Sequence, residues 1–336
     1  MIRAAVIGAG GFVRATHLPN MRDNPRFQVR AIAEVNPETA RAVGEEYGVT
    51  YHTTDYRQVL ADPEVDLVVI TTPHHLHAPL SIEAAKTGKH ILVEKPMSMT
   101  LEETRQVFEA VQAAGVVFTV GFNRRYAPLA VRAKALLDSR RGPIMVNYRM
   151  VDSLWQHPWA LAPGVGGGRI ISEACHIFDF LTWLVGAPPV RVHAEGGVLT
   201  HPGDPQVVQD NAAILVKFAD GSIAAVCHGD LGNGAYPKEN VAVFAGERTI
   251  VLDNFQRLEL YGYEGEANQE LPTIDKGVVA EIEQLGRAIM GEPSTLLTPR
   301  EAAQTMICTV RALESLQQEG QVMDVRAEAY PWLGGL

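Results

Sequence analysis

Cysteine is scarce in this chain: three in 336 residues, Cys175, Cys227 and Cys308, odd in number and widely spaced. That excludes a disulfide framework and leads us to expect a reducing compartment, the cytoplasm. Long hydrophobic runs are missing too, and none reaches the ~18 apolar residues that suggest a membrane-spanning helix. Positive charge is in deficit, with 29 Lys and Arg against 39 Asp and Glu and a formal net charge of −10. The pairs Arg124-Arg125 and Arg140-Arg141 stand isolated and no basic stripe is present. This argues against nucleic acid or an anionic membrane as partner. No internal repeat is visible, and no low-complexity segment beyond Gly166-Gly167-Gly168. A leader peptide is not expected, because Met1–Ile7 run straight into a glycine turn.

What is present is enough apolar material for a sizeable core, 46% of the chain, and a length that suits two domains. In the first 120 residues short, β-branched runs recur at Ala4–Ile7, Val29–Ala33, Leu67–Thr71, His90–Val93 and Val116–Val120. Continuous apolar runs of this kind predict strands covered on both faces. Helical patterns lie between them. Pro37–Tyr47 follows Asn36 with proline at the first position, Pro79–Lys86 ends at Gly88, and Leu101–Ala114 opens with the capping box Thr100…Glu103. The alternation predicts a doubly wound parallel sheet. From about Gly121 the rhythm changes. Runs at Gly142–Val151, Val192–Val198, Ala212–Phe218, Ile223–Cys227, Asn240–Ala245 and Thr249–Leu252, parted by turns such as Asp220-Gly221, predict a large, mostly antiparallel sheet. Helices are expected over Ile170–Leu184, Val278–Met290 and from Thr298 to about Gln318.

The chemistry-bearing residues cluster at strand ends. Gly8-Ala9-Gly10-Gly11-Phe12-Val13 turns the first strand into a helix. Gly8 permits the turn and Gly10 lets backbone approach a pyrophosphate. Val13 stands where the third glycine of the fingerprint is usual. Glu34, at the next strand end, suits the adenosine ribose hydroxyls and repels a 2′-phosphate, so NAD is expected over NADP. Thr71-Thr72-Pro73 can let a cofactor lie against the backbone. His74, His75 and His77 invite a zinc reading, but no matching Cys, Asp or Glu set is near in sequence and no metal is expected. Lys95, in Glu94-Lys95-Pro96, follows an apolar strand. It can stabilise a developing alkoxide, and the Lys-Pro bond can be cis. Glu173, His176 and Asp179 are spaced three apart on a predicted helix and can share a face, with His176 as the natural proton acceptor.

These motifs together resemble the glucose–fructose oxidoreductase, inositol dehydrogenase and rhizopine-catabolism (Gfo/Idh/MocA) family. The marks are Gly8–Phe12, Thr72–His77, Gly88–Pro96, Gly121–Tyr126 and the glycine triplet followed by His176-x-x-Asp179, spread over essentially the whole chain. The resemblance implies an α/β protein. A Rossmann NAD(P)-binding domain would span residues 1–122, and a substrate-binding α/β domain with a large open sheet residues 123–336. It implies a sugar-, sugar-acid- or cyclitol-type substrate, with Lys95 and His176 matching the catalytic pair. It also implies homodimers or homotetramers built by stacking the C-terminal sheets. Many relatives carry aspartate four residues before the histidine; Ser172 stands there and Glu173 follows it, which leaves the carboxylate partner of His176 open.

The resulting expectation is an NAD-dependent oxidoreductase whose substrate hydroxyl lies between Lys95 and His176, in a crevice between domains. Gly8, Gly10, Gly11, Phe12, Val13, Glu34, Thr71, Thr72, Pro73, His75, His77, Glu94, Lys95 and Asn123 are the expected cofactor contacts. Arg125, Tyr126, His157 and Trp159, with Trp155, are expected to line the substrate pocket. A glycoside hydrolase using tightly held NAD is the alternative enzyme reading. A non-catalytic NAD-sensing protein is a third, and it requires Lys95 to be dispensable.

Overall fold

The computed structural model describes residues 1–154, 158–204 and 207–334. The chain divides into two compact units, Met1–Phe122 with Val278–Ala303 and Asn123–Gly277 with Gln304–Leu336. In the first unit six strands, β1 (Ile2–Ile7), β2 (Phe27–Ala33), β3 (Tyr51–Thr53), β4 (Leu67–Ile70), β5 (His90–Val93) and β6 (Phe118–Val120), form one sheet. Their order is β3-β2-β1-β4-β5-β6 and every pairing is parallel. All four residues of β4 are buried, the signature of a strand with helices on both faces. The order reverses direction between β1 and β4. At such a switch point the carboxyl ends of the strands open a crevice. Gly8, Thr71 and Lys95 leave the sheet at those ends.

The caps read from sequence are in place. Asn36 accepts the Thr39 N–H at the head of Pro37–Tyr47, and both halves of the Thr100/Glu103 box cap Leu101–Ala114. The helix expected from Pro79 starts earlier, at His77. The segment after the glycine turn makes two short helices, Gly11–Ala15 and His17–Asp23, parted at Thr16.

The domain division differs from expectation. Residues 278–303 belong to the first unit, although the sequence reading gave everything after 122 to the second. Helix Val278–Ile289 buries Ile282 and Leu285 in the same core as Ile2, Val6, Leu18 and Phe27. Gly286 makes the approach feasible, since a Cβ there would stand 3.0 Å from the Phe27 ring. Arg26 fastens the same segment through Glu283 at 3.2 Å and Glu292 at 3.1 Å. The sequence pattern predicted this helix, but a helical pattern does not say which core receives it.

In the second unit nine strands make one sheet: β7 (Met145–Val151), β8 (Pro189–Gly197), β9 (Asn211–Phe218), β10 (Ile223–Gly229), β11 (Glu239–Ala245), β12 (Arg248–Asp253), β13 (Arg257–Tyr261), β14 (Gln269–Glu270) and β15 (Met323–Asp324). The order is β14-β13-β12-β11-β7-β10-β9-β8-β15, and only β7 and β10 run parallel. Burial alternates along β7, β9 and β10. One face carries Val146, Tyr148 and Val226 into the core, where Phe180 of helix Cys175–Val185 meets Tyr148 and Phe255 edge-on. The other face shows Met145, Leu215, Ile223 and Phe244, each at least 40% exposed, so it is apolar without being covered by its own unit.

Candidate active site

At the end of β1, Gly8 has φ +93°, a conformation that L side chains rarely adopt, and a Cβ there would meet the Thr71 carbonyl oxygen at 2.9 Å. The Thr71 hydroxyl in turn donates to the Gly8 carbonyl at 2.5 Å, locking the ends of β1 and β4 together. Gly10 and Gly11 have nothing within 4 Å of where a Cβ would sit, which leaves open space over the backbone. Glu34 accepts the Ala9 N–H at 2.8 Å and the Asn36 N–H at 3.0 Å, so a carboxylate stands beside the glycine turn. Phe12 is exposed, whereas Val13 is buried in the core; its side chain is not part of the surface expected to meet a cofactor.

Lys95 is held from behind. Its N–H donates to the Glu94 carboxylate at 3.1 Å, and the other Glu94 oxygen meets His17 Nε2 at 2.7 Å. A side chain at position 121 would displace that carboxylate, because a Cβ would stand 2.6 Å from it. Burial works to raise the Glu94 pKa, but the His17 bond and the Lys95 charge outweigh it and hold the carboxyl below its ordinary range. The Lys95–Pro96 peptide is cis. His77 is fully buried, with Nδ1 2.7 Å from the Pro96 carbonyl and Nε2 2.8 Å from that of Thr72. Burial pushes its pKa down, so the neutral ring donates through one nitrogen and merely abuts the second carbonyl. His77 therefore spans two strand-end loops instead of presenting a ring to a ligand. His75 and Pro73 are exposed, and Thr72 is half-buried.

In the second unit the expected helix over 170–184 begins as a π-helical turn, Ile170–Ala174, before becoming the α-helix Cys175–Val185. Such turns recur at functional sites. His176 sits just past it, 5% exposed. Glu173 is paired with Lys238 Nζ at 3.0 Å, and Lys238 also reaches Asp152 at 3.1 Å. Asp179 is paired with Arg125, which donates through Nε at 3.1 Å and through NH2 at 2.6 Å. Arg125, expected on the substrate, is thus a buried tie between the turn Asn123–Tyr126 and the helix. Asn123, expected on the cofactor, donates its amide to the Lys276 carbonyl at 2.8 Å. Tyr126 is buried and Trp159 is 44% exposed. His157 and Trp155 lie outside the described residues.

Sequence reasoning missed a second set of polar residues. Glu239, at the start of β11, is fully buried and accepts from Arg124 Nε at 2.8 Å, Tyr148 OH at 2.6 Å and Lys276 Nζ at 2.5 Å. Burial opposes its charge, but Arg124 and Lys276 hold its pKa far below the usual carboxylate range. The only signals were Lys238-Glu239-Asn240 just ahead of the apolar run Val241–Ala245 and the Asp275-Lys276-Gly277 turn. His17 had no signal beyond its place after the glycine turn. Among the described residues no group of three or more His, Cys, Asp or Glu is arranged to hold a metal, and no helix is long and apolar enough to cross a membrane.

The first unit fits a dinucleotide on its own geometry: a left-handed glycine, two glycines with open space over them, and a carboxylate at the end of β2. Comparison with known proteins agrees. Residues 2–122 match the model of an oxidoreductase family with an NAD-binding Rossmann fold, and residues 132–268 match the GFO/IDH/MocA C-terminal domain. Inositol 2-dehydrogenase of Rhizobium meliloti is 30% identical over 265 residues, covering 75% of this chain and 76% of the relative. The scyllo-inositol 2-dehydrogenase (NAD(+)) of Bacillus subtilis is 31% identical over 228 residues, covering 67% and 66%. A solved levoglucosan dehydrogenase in complex with NADH and levoglucosan shares the fold, with a TM-score of 0.85 at 24% identity over 96% of this chain and 99% of that one. Both halves of the sequence thus lead to one conclusion: the chain belongs to the Gfo/Idh/MocA oxidoreductases, and its N-terminal part is their NAD-binding Rossmann fold.

Proposed function

We propose that this protein is an NAD-dependent dehydrogenase that oxidises a hydroxyl of a sugar, sugar derivative or cyclitol. The relatives support the substrate class, since their names point to inositols and levoglucosan. The observation that carries the reading is the seat of Lys95, pinned by its own N–H to a buried carboxylate at the end of β5. Gly8, Gly10, Gly11, Glu34 and Thr71 would hold NAD, which supplies a hydride acceptor. His176 takes the proton of the reacting hydroxyl, and the Lys95 ammonium stabilises the alkoxide that forms. The relatives give no support to the glycoside hydrolase alternative. The apolar open face of the second sheet supports self-association into dimers or tetramers. A cytoplasmic setting agrees with three cysteines of which none is in a disulfide.

The test is NADH production by the purified protein across a panel of sugars, polyols and cyclitols. Lys95→Ala and His176→Ala should each lower kcat by roughly 10²–10⁴-fold. The double variant should be little worse than the poorer single one, because both groups serve one transition state. Turnover retained by His176→Ala would place the proton acceptor elsewhere, with Glu173 the first to be tried.

A further inference from the structure

The second unit concentrates positive charge in an acidic protein. Arg124, Arg169, Lys238 and Lys276 face three carboxylates, Asp152, Glu173 and Glu239, through contacts of 2.5–3.9 Å. Arg149 adds a fifth cation, whose guanidinium donates to the Pro237 carbonyl and lies 4.3 Å over the Tyr236 ring. The formal surplus is two positive charges, in a chain whose net charge is −10. The neighbourhood registers that field. Burial, Arg169 and Lys238 together push the fully buried His228 down to about 3. Burial, Arg124 and Lys238 together hold Lys276 below the ordinary lysine range.

Two of these cations reach solvent, Lys238 at 27% side-chain exposure and Lys276 at 25%. Each is fixed by a buried carboxylate behind it and has donors to spare. An ammonium has three N–H groups. Lys238 meets two carboxylates, Glu173 and Asp152, and Lys276 meets one, Glu239, among the described residues. The Arg124 guanidinium, whose fork suits a phosphate, is buried and already spent on Glu239 through two nitrogens. Point-like ammonium groups, with one open donor on Lys238 and two on Lys276, suit a monoanion. Lys238 is also tied, through Glu173, to the helical segment that carries His176 one turn later.

We propose that Lys238 and Lys276 form a carboxylate-binding subsite in the second unit, so that the hydroxyl oxidised belongs to a sugar acid and not to a neutral polyol. The inference rests on the dehydrogenase reading above and narrows its substrate.

The experiment compares the full-length protein, supplied with NAD, on hexonates and hexuronates against the matching neutral hexitols and hexoses, with hexose phosphates as a third arm. The acids should be preferred by tenfold or more in kcat/KM, and the preference should shrink as salt rises. Lys238→Met should cut the acid-to-neutral ratio at least tenfold, mainly through KM, while Lys238→Arg keeps most of it. Equal loss on acids and neutrals, or preference for neutrals or phosphates, overturns the subsite. Absence of NADH from every compound counts against the dehydrogenase reading. The subsite is then decided by calorimetric titration of the same acids into the NADH-loaded protein. Binding that Lys238→Met weakens supports it. No binding, or binding indifferent to that change, overturns it.

Discussion

Glu34 shows how much one side chain can decide. Its two oxygens are bound by the backbone of Ala9 and Asn36, so the carboxylate cannot swing away from the glycine turn without breaking both bonds. A phosphate dianion placed there would meet a fixed negative charge. The protein should therefore prefer NAD to NADP by tens-fold or more in kcat/KM, and Glu34→Ala should erode that preference; initial rates with each cofactor decide it. His17 acts at one remove, through Glu94. A carboxyl whose folded pKa is depressed contributes stability above its unfolded value, near 4.3, and loses it as pH falls through the folded value. His17→Leu removes the bond that most lowers the Glu94 pKa. Acid unfolding of the variant should then begin at higher pH than in the parent. At neutral pH the variant should be less stable by about 1–3 kcal/mol, since a buried acceptor loses its partner. Denaturant melts between about pH 2 and 7 read both effects.

Among elements, Glu239 is the tie. It joins the turn Asn123–Tyr126 through Arg124, β7 through Tyr148 and the segment before Gly277 through Lys276. Glu239→Gln keeps the shape and removes the charge, leaving a buried guanidinium uncompensated, so a loss of about 3–5 kcal/mol is expected. Thermal melts followed by circular dichroism test it. Local rules made much of the element pattern legible. Thr100 and Glu103 announced their helix, His90–Val93 its strand, and Gly8 its turn, because each is decided by residues within a few positions. The ties were not legible. Arg124 and Glu239 are 115 positions apart, and Arg125 and Asp179 54 apart. A sequence shows that each residue needs a partner without naming which. Arg125 read as a substrate contact for that reason, and His17 was passed over. The three-residue β3 and the helix Pro128–Asp138 escaped because one is too short, and the other too evenly apolar, to show a period.

For the whole molecule, the open face of the nine-stranded sheet sets the expectation. Met145, Leu215, Ile223 and Phe244 are from 40% to 57% exposed on one surface, a cost that a second copy would remove. Light scattering at micromolar concentration should give a dimer or tetramer. Leu215→Glu with Ile223→Lys should give a monomer of unchanged circular dichroism; a monomeric parent would refute the interface.

The return of residues 278–303 to the first unit has a consequence on the ribosome. The nucleotide-binding half cannot be finished when Phe122 has been added, because Ile282 and Leu285, which complete its core, are still untranslated. The 155 residues Asn123–Gly277 separate the two pieces. At roughly 5–20 residues per second that is a wait of about eight to thirty seconds. During it the nascent sheet lacks the helix that closes it, and most of the second unit is made first. The half of the protein encoded first is therefore among the last to be sealed.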